Sequence, residues 1–344
     1  MILKSNHAIK LWKKIYPKLI IYQLNMVEKV VISDVELILS QPADVNMEWV
    51  GNDDLINELK AAWLVVDKND LPLTPRILGK PGVGKTTLAY AAGKRLEKDV
   101  YMFQCTMDTR PEDLLISPVI SSDKKIAYVA SSLVSAMIKG GVCLLDEGNR
   151  MSEKSWASLA PLMDKRRYIE SIIAGIRIYA HPEFRLCVTM NSDSSTYEIP
   201  EYIQSRLQPK IVIDFPNKVD EMKILKYNLP FASEEILDYC TNFLQNAHIH
   251  DEPYTVRDGI NILRYYIKMR SMNNENQNIL EKKHFESALV QVLEEAALNY
   301  LPENYEEFLK EQKESISFKI FKDVEEVEDY YDKFVKRADE DSNG

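Results

Sequence analysis

Between a short apolar run, Arg76-Ile-Leu-Gly79, and an alanine-rich segment that opens at Thr86, the chain reads Gly79-Lys-Pro-Gly-Val-Gly-Lys-Thr86. A glycine, four residues, then glycine, lysine and a hydroxyl residue is a narrow demand on the backbone. Glycines at Gly82 and Gly84 let successive N–H groups turn toward one point, and the start of the following helix adds its partial positive charge there. Such a loop holds phosphate: Pro81, Val83 and Thr87 complete it, Lys85 reaches the outer phosphates, and Thr86 offers a hydroxyl to Mg²⁺. A chance glycine turn is the alternative, and the strand before and helix after the loop argue against it.

The surrounding pattern repeats strand and helix. Residues 55–66 have helical period, residues 100–105 read as a buried strand, and 142–145, 185–190 and 211–215 are further apolar strands. Residues 108–115 open a helix that 118–125 interrupt and 131–139 resume; 153–165 form another helix, and 168–179 alternate as a hairpin about Ala174-Gly175. Beyond Pro216 only helical periods remain, over 220–227, 233–246, 256–269 and 283–299. The expected architecture is therefore α/β, a three-layer nucleotide-binding domain with a parallel sheet, followed by a small all-α domain. The boundaries read from the sequence are a basic extension 1–40, an α/β domain 41–216, a helical domain 217–300 and an acidic tail 301–344.

A metal-holding carboxylate belongs at the end of a neighbouring buried strand. Three apolar runs end in aspartate, at Asp67, Asp146 and Asp214. The first lies ahead of the loop and has helical period, so it reads as core; the third has no following acid. Asp146 is followed by Glu147, which supplies one carboxylate for metal and one to orient attacking water. The strand 185–190 ends in Asn191, whose amide either holds that water or the outer phosphate, or simply makes an Asx turn. Arg206 and Arg257 by themselves read as salt-bridged or solvated surface arginines.

Composition narrows the partners. The chain has net charge −10, but residues 1–27 carry five lysines and no acid while 302–344 carry fourteen acids against seven bases, which leaves −8 for the body. The body therefore lacks the global basic excess of a nucleic-acid binder, although a local basic groove or pore stays open. The longest uncharged stretch, residues 126–138, is thirteen residues long, short of the roughly 18 that a membrane span needs. Cys105, Cys143, Cys187 and Cys240 lie far apart with no Cys-x-x-Cys pair and read as reduced core residues of a cytoplasmic protein. Residues 1–25 read as an over-read upstream of Met26 or as a basic arm, and His248-Ile-His-Asp-Glu252 as a solvated polar loop rather than a metal site.

Taken in order, Gly79 to Thr87, Leu144-Leu-Asp-Glu147 with Asn149-Arg150, Leu162-Met-Asp-Lys-Arg166 and Phe184 to Asn191 resemble an AAA+ ATPase. More narrowly they are similar to the MoxR, CbbQ and dynein-related (midasin-like) branch, as is Asp108-Thr-Arg-Pro-Glu-Asp-Leu114. The resemblance runs from about Glu48 to Met269. It implies ATP and Mg²⁺ as cofactors, a lid formed by the helical domain, a β-hairpin at 118–128 and another at 169–179. It also implies Asn191 as sensor 1, Arg206 as an arginine finger toward a neighbouring subunit, Arg257 as sensor 2, and Val50 and Gly51 near the adenine. A ring follows from the finger, with a homo-hexamer the expected size. The partner the resemblance implies is a remodelled protein, often one with a von Willebrand factor A domain. A nucleic-acid motor or McrB-like subunit is the alternative, which basic residues on the hairpins (Lys124, Lys125, Arg166, Arg167, Arg177) would favour. Two departures stand out: Gly148 replaces the usual apolar residue after Asp-Glu, loosening the turn that carries Asn149, and Met190-Asn-Ser-Asp193 is similar to a GTPase motif, so GTP is the alternative to ATP.

Overall fold

The computed structural model describes residues 28–120, 124–192, 199–273 and 279–304. They fall into two units. The first holds residues up to Trp49, Asp53–Gly79 and Gly84–Ile213; the second holds Val50–Asn52, Lys80–Val83 and residues from Asp214 onward.

The first unit is built on β3 (Arg76–Gly79), β4 (Val100–Gln104), β7 (Val142–Asp146), β10 (Arg185–Asn191) and β11 (Lys210–Val212). They form one sheet in the order β11-β3-β10-β7-β4, every pair parallel. Parallel strands need crossovers that cover both faces, and this explains their near-continuous apolar runs. On one face Cys143 and Leu145 of β7 join Leu133, Val134 and Met137 of α4 (Ser132–Lys139) in the core. On the other, α2 (Lys85–Arg95) comes so close at Gly93 that a Cβ there would lie 2.8 Å from Val100 and 3.3 Å from Val142. The layers are thus helix, sheet, helix.

α1 (Asp53–Trp63) ends where Arg185 Nε donates to the Trp63 carbonyl at 2.7 Å and Trp63 Nε1 donates to the Leu186 carbonyl at 3.1 Å. The run toward Asp67 departs from the core reading: Trp63 is buried, but Leu64, Val65 and Val66 are exposed in the turn that follows the helix. The helix has spent its buried stripe on Ile56, Leu59, Ala62 and Trp63.

A second, four-stranded sheet was not foreseen. A hairpin of β1 (Lys29–Ile32) and β2 (Val35–Ile38) turns through Ser33 and Asp34, both left-handed, with φ 48° and 64°. β2 runs parallel to β6 (Ile126–Ala130), which pairs antiparallel with β5 (Ile116–Ile120). The β5–β6 hairpin follows the one-turn helix α3 (Pro111–Leu114) as the resemblance implied. Residues 28–40 are therefore part of the first unit rather than of a basic extension ending at residue 40, because Leu37 and Ile38 find their partners at Tyr128 and Val129. Residues 1–27, with the lysines of the proposed arm, lie outside the described residues. After α5 (Glu153–Leu159), β8 (Tyr168–Ser171) and β9 (Ile176–Tyr179) form the second hairpin.

The second unit packs α7 (Lys218–Asn228), α8 (Glu234–Ile249), α9 (Val256–Met272) and α10 (Lys282–Val292) around Leu225, Leu237, Phe243, Ile262, Tyr266 and Phe285. Its helix starts are written in the sequence. Asn217 accepts from the Asp220 N–H at 3.0 Å, and Thr255 forms a capping box with Asp258, each such cap contributing about 1 kcal/mol. The chain leaves α10 through a 3-10 turn, Glu295–Tyr300, in place of the continuous helix expected to residue 299. Leu301 is buried and Glu303 accepts from Tyr239 at 2.7 Å, so residues 301–304 pack with the helices; residues 305–344 of the acidic tail lie outside the described ones. His248 is not in a polar loop: it occupies the last turn of α8, stacks on Phe215 with ring centroids 3.8 Å apart, and bonds the Tyr254 carbonyl at 2.8 Å. Among the described residues no helix is long and apolar enough to cross a membrane.

Candidate nucleotide site

The loop from β3 into α2 takes its shape from two left-handed glycines, Gly82 at φ 85° and Gly84 at φ 100°. Gly84 is the N-cap of α2, no side chain caps that end, and its first turn holds no acid. The N–H groups of the first turn therefore meet neither a capping side chain nor a repelling carboxylate, which is what an anion requires. Lys85 is buried, with Nζ donating to the Gly79 carbonyl at 2.9 Å. The Trp49 ring, half-buried, lies 3.4 Å from where a Cβ on residue 84 would sit. In the second unit, Pro81, Gly82 and Val83 accompany Val50 and Gly51, and a Cβ at residue 82 would meet the Thr255 hydroxyl. That contact lies within the second unit, between Gly82 and the residue before α9, and Arg257 lies exposed in the helix's first turn.

Parallel strands end their carboxyl termini at one edge, and β3, β10 and β7 are neighbours there. The register pairs Asn191 with Gly79, and Val188 with Leu145, so Thr189 arrives beside Asp146. Ligands bind at this edge of open α/β sheets. Thr86 Oγ1 donates to Asp146 Oδ1 at 2.7 Å. Thr189 Oγ1 also donates to Asp146 Oδ1 and accepts the Glu147 N–H at 3.0 Å. Glu147 is left-handed, φ 56°, which turns its side chain out of the strand direction. One carboxylate oxygen approaches Arg150 Nε at 2.7 Å off the donor axis, an ion pair more than an aligned hydrogen bond; the other takes a long 3.5 Å bond from Asn191 Nδ2.

Asn149 secures this arrangement from below. Its Nδ2 donates to the Asn191 carbonyl at 2.9 Å, and its Oδ1 accepts the Asn191 N–H at 3.4 Å. Gly148, far from loosening the turn, is required by it. A methyl there would overlap Val188 Cγ1 and stand 3.2 Å from the Trp156 ring.

Of the residues singled out in the sequence, Thr86, Asp146, Glu147 and Asn191 converge, with Lys85 at the loop beside them. Arg206 does not join them within this chain. It follows the short helix α6 (Glu201–Gln204), donates through Nη1 to the Tyr202 carbonyl, and keeps Nε 3.5 Å from Asp164. Asp164 is held down to about 2, first by the hydrogen bonds of Arg166 and then with help from Arg206. Asp214 faces its own turn, accepting the Phe215 N–H at 2.8 Å. Thr189 was missed. Its signal was a lone hydroxyl in the run Leu186-Cys-Val-Thr-Met190, two residues before Asn191 and so on the same strand face. The four cysteines are free and buried, and burial raises every thiol, so none is a nucleophile.

Residues 76–207 match the family model of the AAA domain, dynein-related subfamily. Those residues therefore resemble the dynein-related, MoxR-like branch of the AAA+ ATPases. The chain is 30% identical over 136 residues to the denitrification regulatory protein NirQ of Pseudomonas aeruginosa, covering 40% of this chain and 50% of NirQ. It is 26% identical over 157 residues to protein MoxR of Paracoccus denitrificans, covering 45% of each. The chain thus spans about half the length of these curated relatives. Among solved structures, the P216G mutant of Thermotoga maritima RuvB shares the fold, with TM-score 0.51, 15% identity, and coverage of 74% of this chain and 75% of RuvB.

Proposed function

We propose that this AAA+ protein hydrolyses ATP with Mg²⁺ and couples the cycle to remodelling a partner polypeptide. The observation that carries the chemistry is the convergence of Thr86 and Glu147 on either side of Asp146, at the sheet edge from which the phosphate loop springs. Thr86 and Asp146 are hard oxygen donors, the set that suits Mg²⁺, and they would hold the ion between them. Bound there, Mg²⁺ would neutralise phosphate charge. Lys85 binds the outer phosphate oxygens, while the N–H groups from Gly82 to Thr87 cradle the inner ones. Glu147 takes the proton of the attacking water, and Asn191, already touching Glu147, orients that water. By the resemblance, Val50 and Gly51 would serve the adenine and Arg257 would act as sensor 2. Arg206 serves a neighbouring protomer's phosphate in a ring, expected to be a hexamer, where such a group contributes about 10³ to 10⁵ in rate.

A polypeptide partner is supported by the hairpins. Arg166 is bound to Asp164, Arg177 pairs with Glu170, and Arg167 packs against Phe184. Two of the charges that favoured nucleic acid, Arg166 and Arg177, are thus compensated within the chain. What the second hairpin exposes at its turn is Ile172, 93% accessible, with Ile173; the first exposes Ile120 and Ile126. Exposed isoleucines suit apolar polypeptide rather than a phosphate backbone.

The test is capture by Glu147→Gln in ATP, with nuclease-treated and untreated arms, repeated with Ile172→Asp/Ile173→Asp added. A polypeptide that survives nuclease and is lost with the aspartates supports the reading. Retention of nucleic acid indifferent to the isoleucines overturns it and favours the motor.

A further inference from the structure

The geometry points to Thr189 as a positioning residue that sets both carboxyl groups of the site through one hydroxyl. The inference rests on the hydrolytic reading above. Thr189 is fully buried at the end of β10, and its single hydroxyl proton goes to Asp146 Oδ1 while an oxygen lone pair accepts the Glu147 N–H at 3.0 Å. The first bond fixes how the Asp146 carboxylate is turned. The second anchors the left-handed backbone from which the Glu147 side chain departs. Asn191, two residues further along the same strand, meets the Glu147 side chain itself. One strand thereby grips Asp146 and Glu147 at three points.

The role differs from that of Thr86, whose hydroxyl donates to the same Asp146 oxygen at 2.7 Å. A Thr86 hydroxyl that lends a lone pair to a metal ion while donating its proton to Asp146 has its geometry shared with that ion, so Thr86 is a reference for Asp146 that shifts with occupancy. Thr189 is fully buried and its hydroxyl bonds Asp146 and the Glu147 N–H, so its grip on Asp146 depends on no metal ion. A residue that orients a metal ligand in this way is worth about 10- to 100-fold in metal affinity or activity.

Three variants separate the hydroxyl from the packing. Thr189→Ser keeps the hydroxyl and loses the methyl; Thr189→Ala loses both; Thr189→Val keeps the shape and loses the hydroxyl. Turnover is measured beside the Mg²⁺ concentration that half-saturates binding of a fluorescent ATP analogue, and beside analogue binding without Mg²⁺. The expected result is a fall in kcat, with a rise in the Mg²⁺ midpoint, of about 10- to 100-fold for Val and Ala. Ser should stay near wild type, and metal-free binding should be unchanged in all three. Should Val not fold, the Ser and Ala pair decides, since both lack the same methyl. If Ala and Ser behave alike, or Val matches wild type in kcat and Mg²⁺ midpoint, Thr189 is packing only and the inference is overturned. A wild type that binds nucleotide without turnover overturns the hydrolytic reading instead, and the Mg²⁺ titration still decides on Thr189.

Discussion

Asn149 and Asn191 are joined by two opposed hydrogen bonds, side chain of the first to both backbone groups of the second, at 2.9 and 3.4 Å. Both residues are buried. The turn after β7 is thereby registered against the end of β10, so the residue that presents the Glu147 carboxylate and the residue that touches it cannot drift independently. Asn149→Ala leaves a buried carbonyl and N–H unpaired, and a loss of about 1–3 kcal/mol in urea unfolding is expected. Turnover should fall more than nucleotide affinity, and equal falls in both would point to damage at the loop instead.

Gly148 is set by space. Gly148→Ala drives a methyl into Val188 and Trp156, and overpacking of this kind costs about 1–3 kcal/mol. Val188→Ala added to it should restore part of the lost Tm, as a double-mutant cycle would show.

How much of this was legible in the sequence follows from where each constraint lives. The loop, Asp146 and Glu147 were legible because a glycine-rich turn between strand and helix and paired acids at a buried strand end have few structural uses; Asn191 was singled out only through the resemblance, since a polar residue leaving a strand also makes an Asx turn. The β1–β2 hairpin was not, since its partner strand at Tyr128 lies far along the chain and its turn, Ser33-Asp34, lacks glycine. Leu64 to Val66 misled because apolar residues with helical period continue past the point where Arg185 closes the helix. The partners of Arg166 and Arg177 were not legible either, because sequence order does not reveal that Asp164 and Glu170 face them.

Glu221, at the start of α7, is fully buried, one oxygen accepting from Gln245 at 2.7 Å and the other without a partner. Burial pushes it up to about 7 from the ordinary 4.5. The folded state therefore holds a proton that the unfolded state releases, and stability from this group is complete below about pH 4.5 and lost as pH rises through about 7. Thermal unfolding from pH 4.5 to 8 should show that decline. In Glu221→Gln, which is neutral throughout, this component should vanish and Tm at pH 8 should exceed wild type; an unchanged pH profile would place the proton elsewhere.

Arg206 should act across a subunit boundary. Uniform Arg206→Ala protein is expected to lose about 10³-fold or more in kcat. Mixed with wild-type subunits, it should depress turnover more steeply than its mole fraction, whereas a straight proportional loss would assign Arg206 to its own chain.

The most direct measurement compares phosphate release by wild type and Glu147→Gln, with ATP and Mg²⁺ binding followed on the same preparations. In the proposed reaction Glu147 takes the proton of water rather than holding the nucleotide, so binding should be preserved while turnover falls by about 10²-fold or more. Phosphate release by Glu147→Gln at the wild-type rate would contradict the account at its centre.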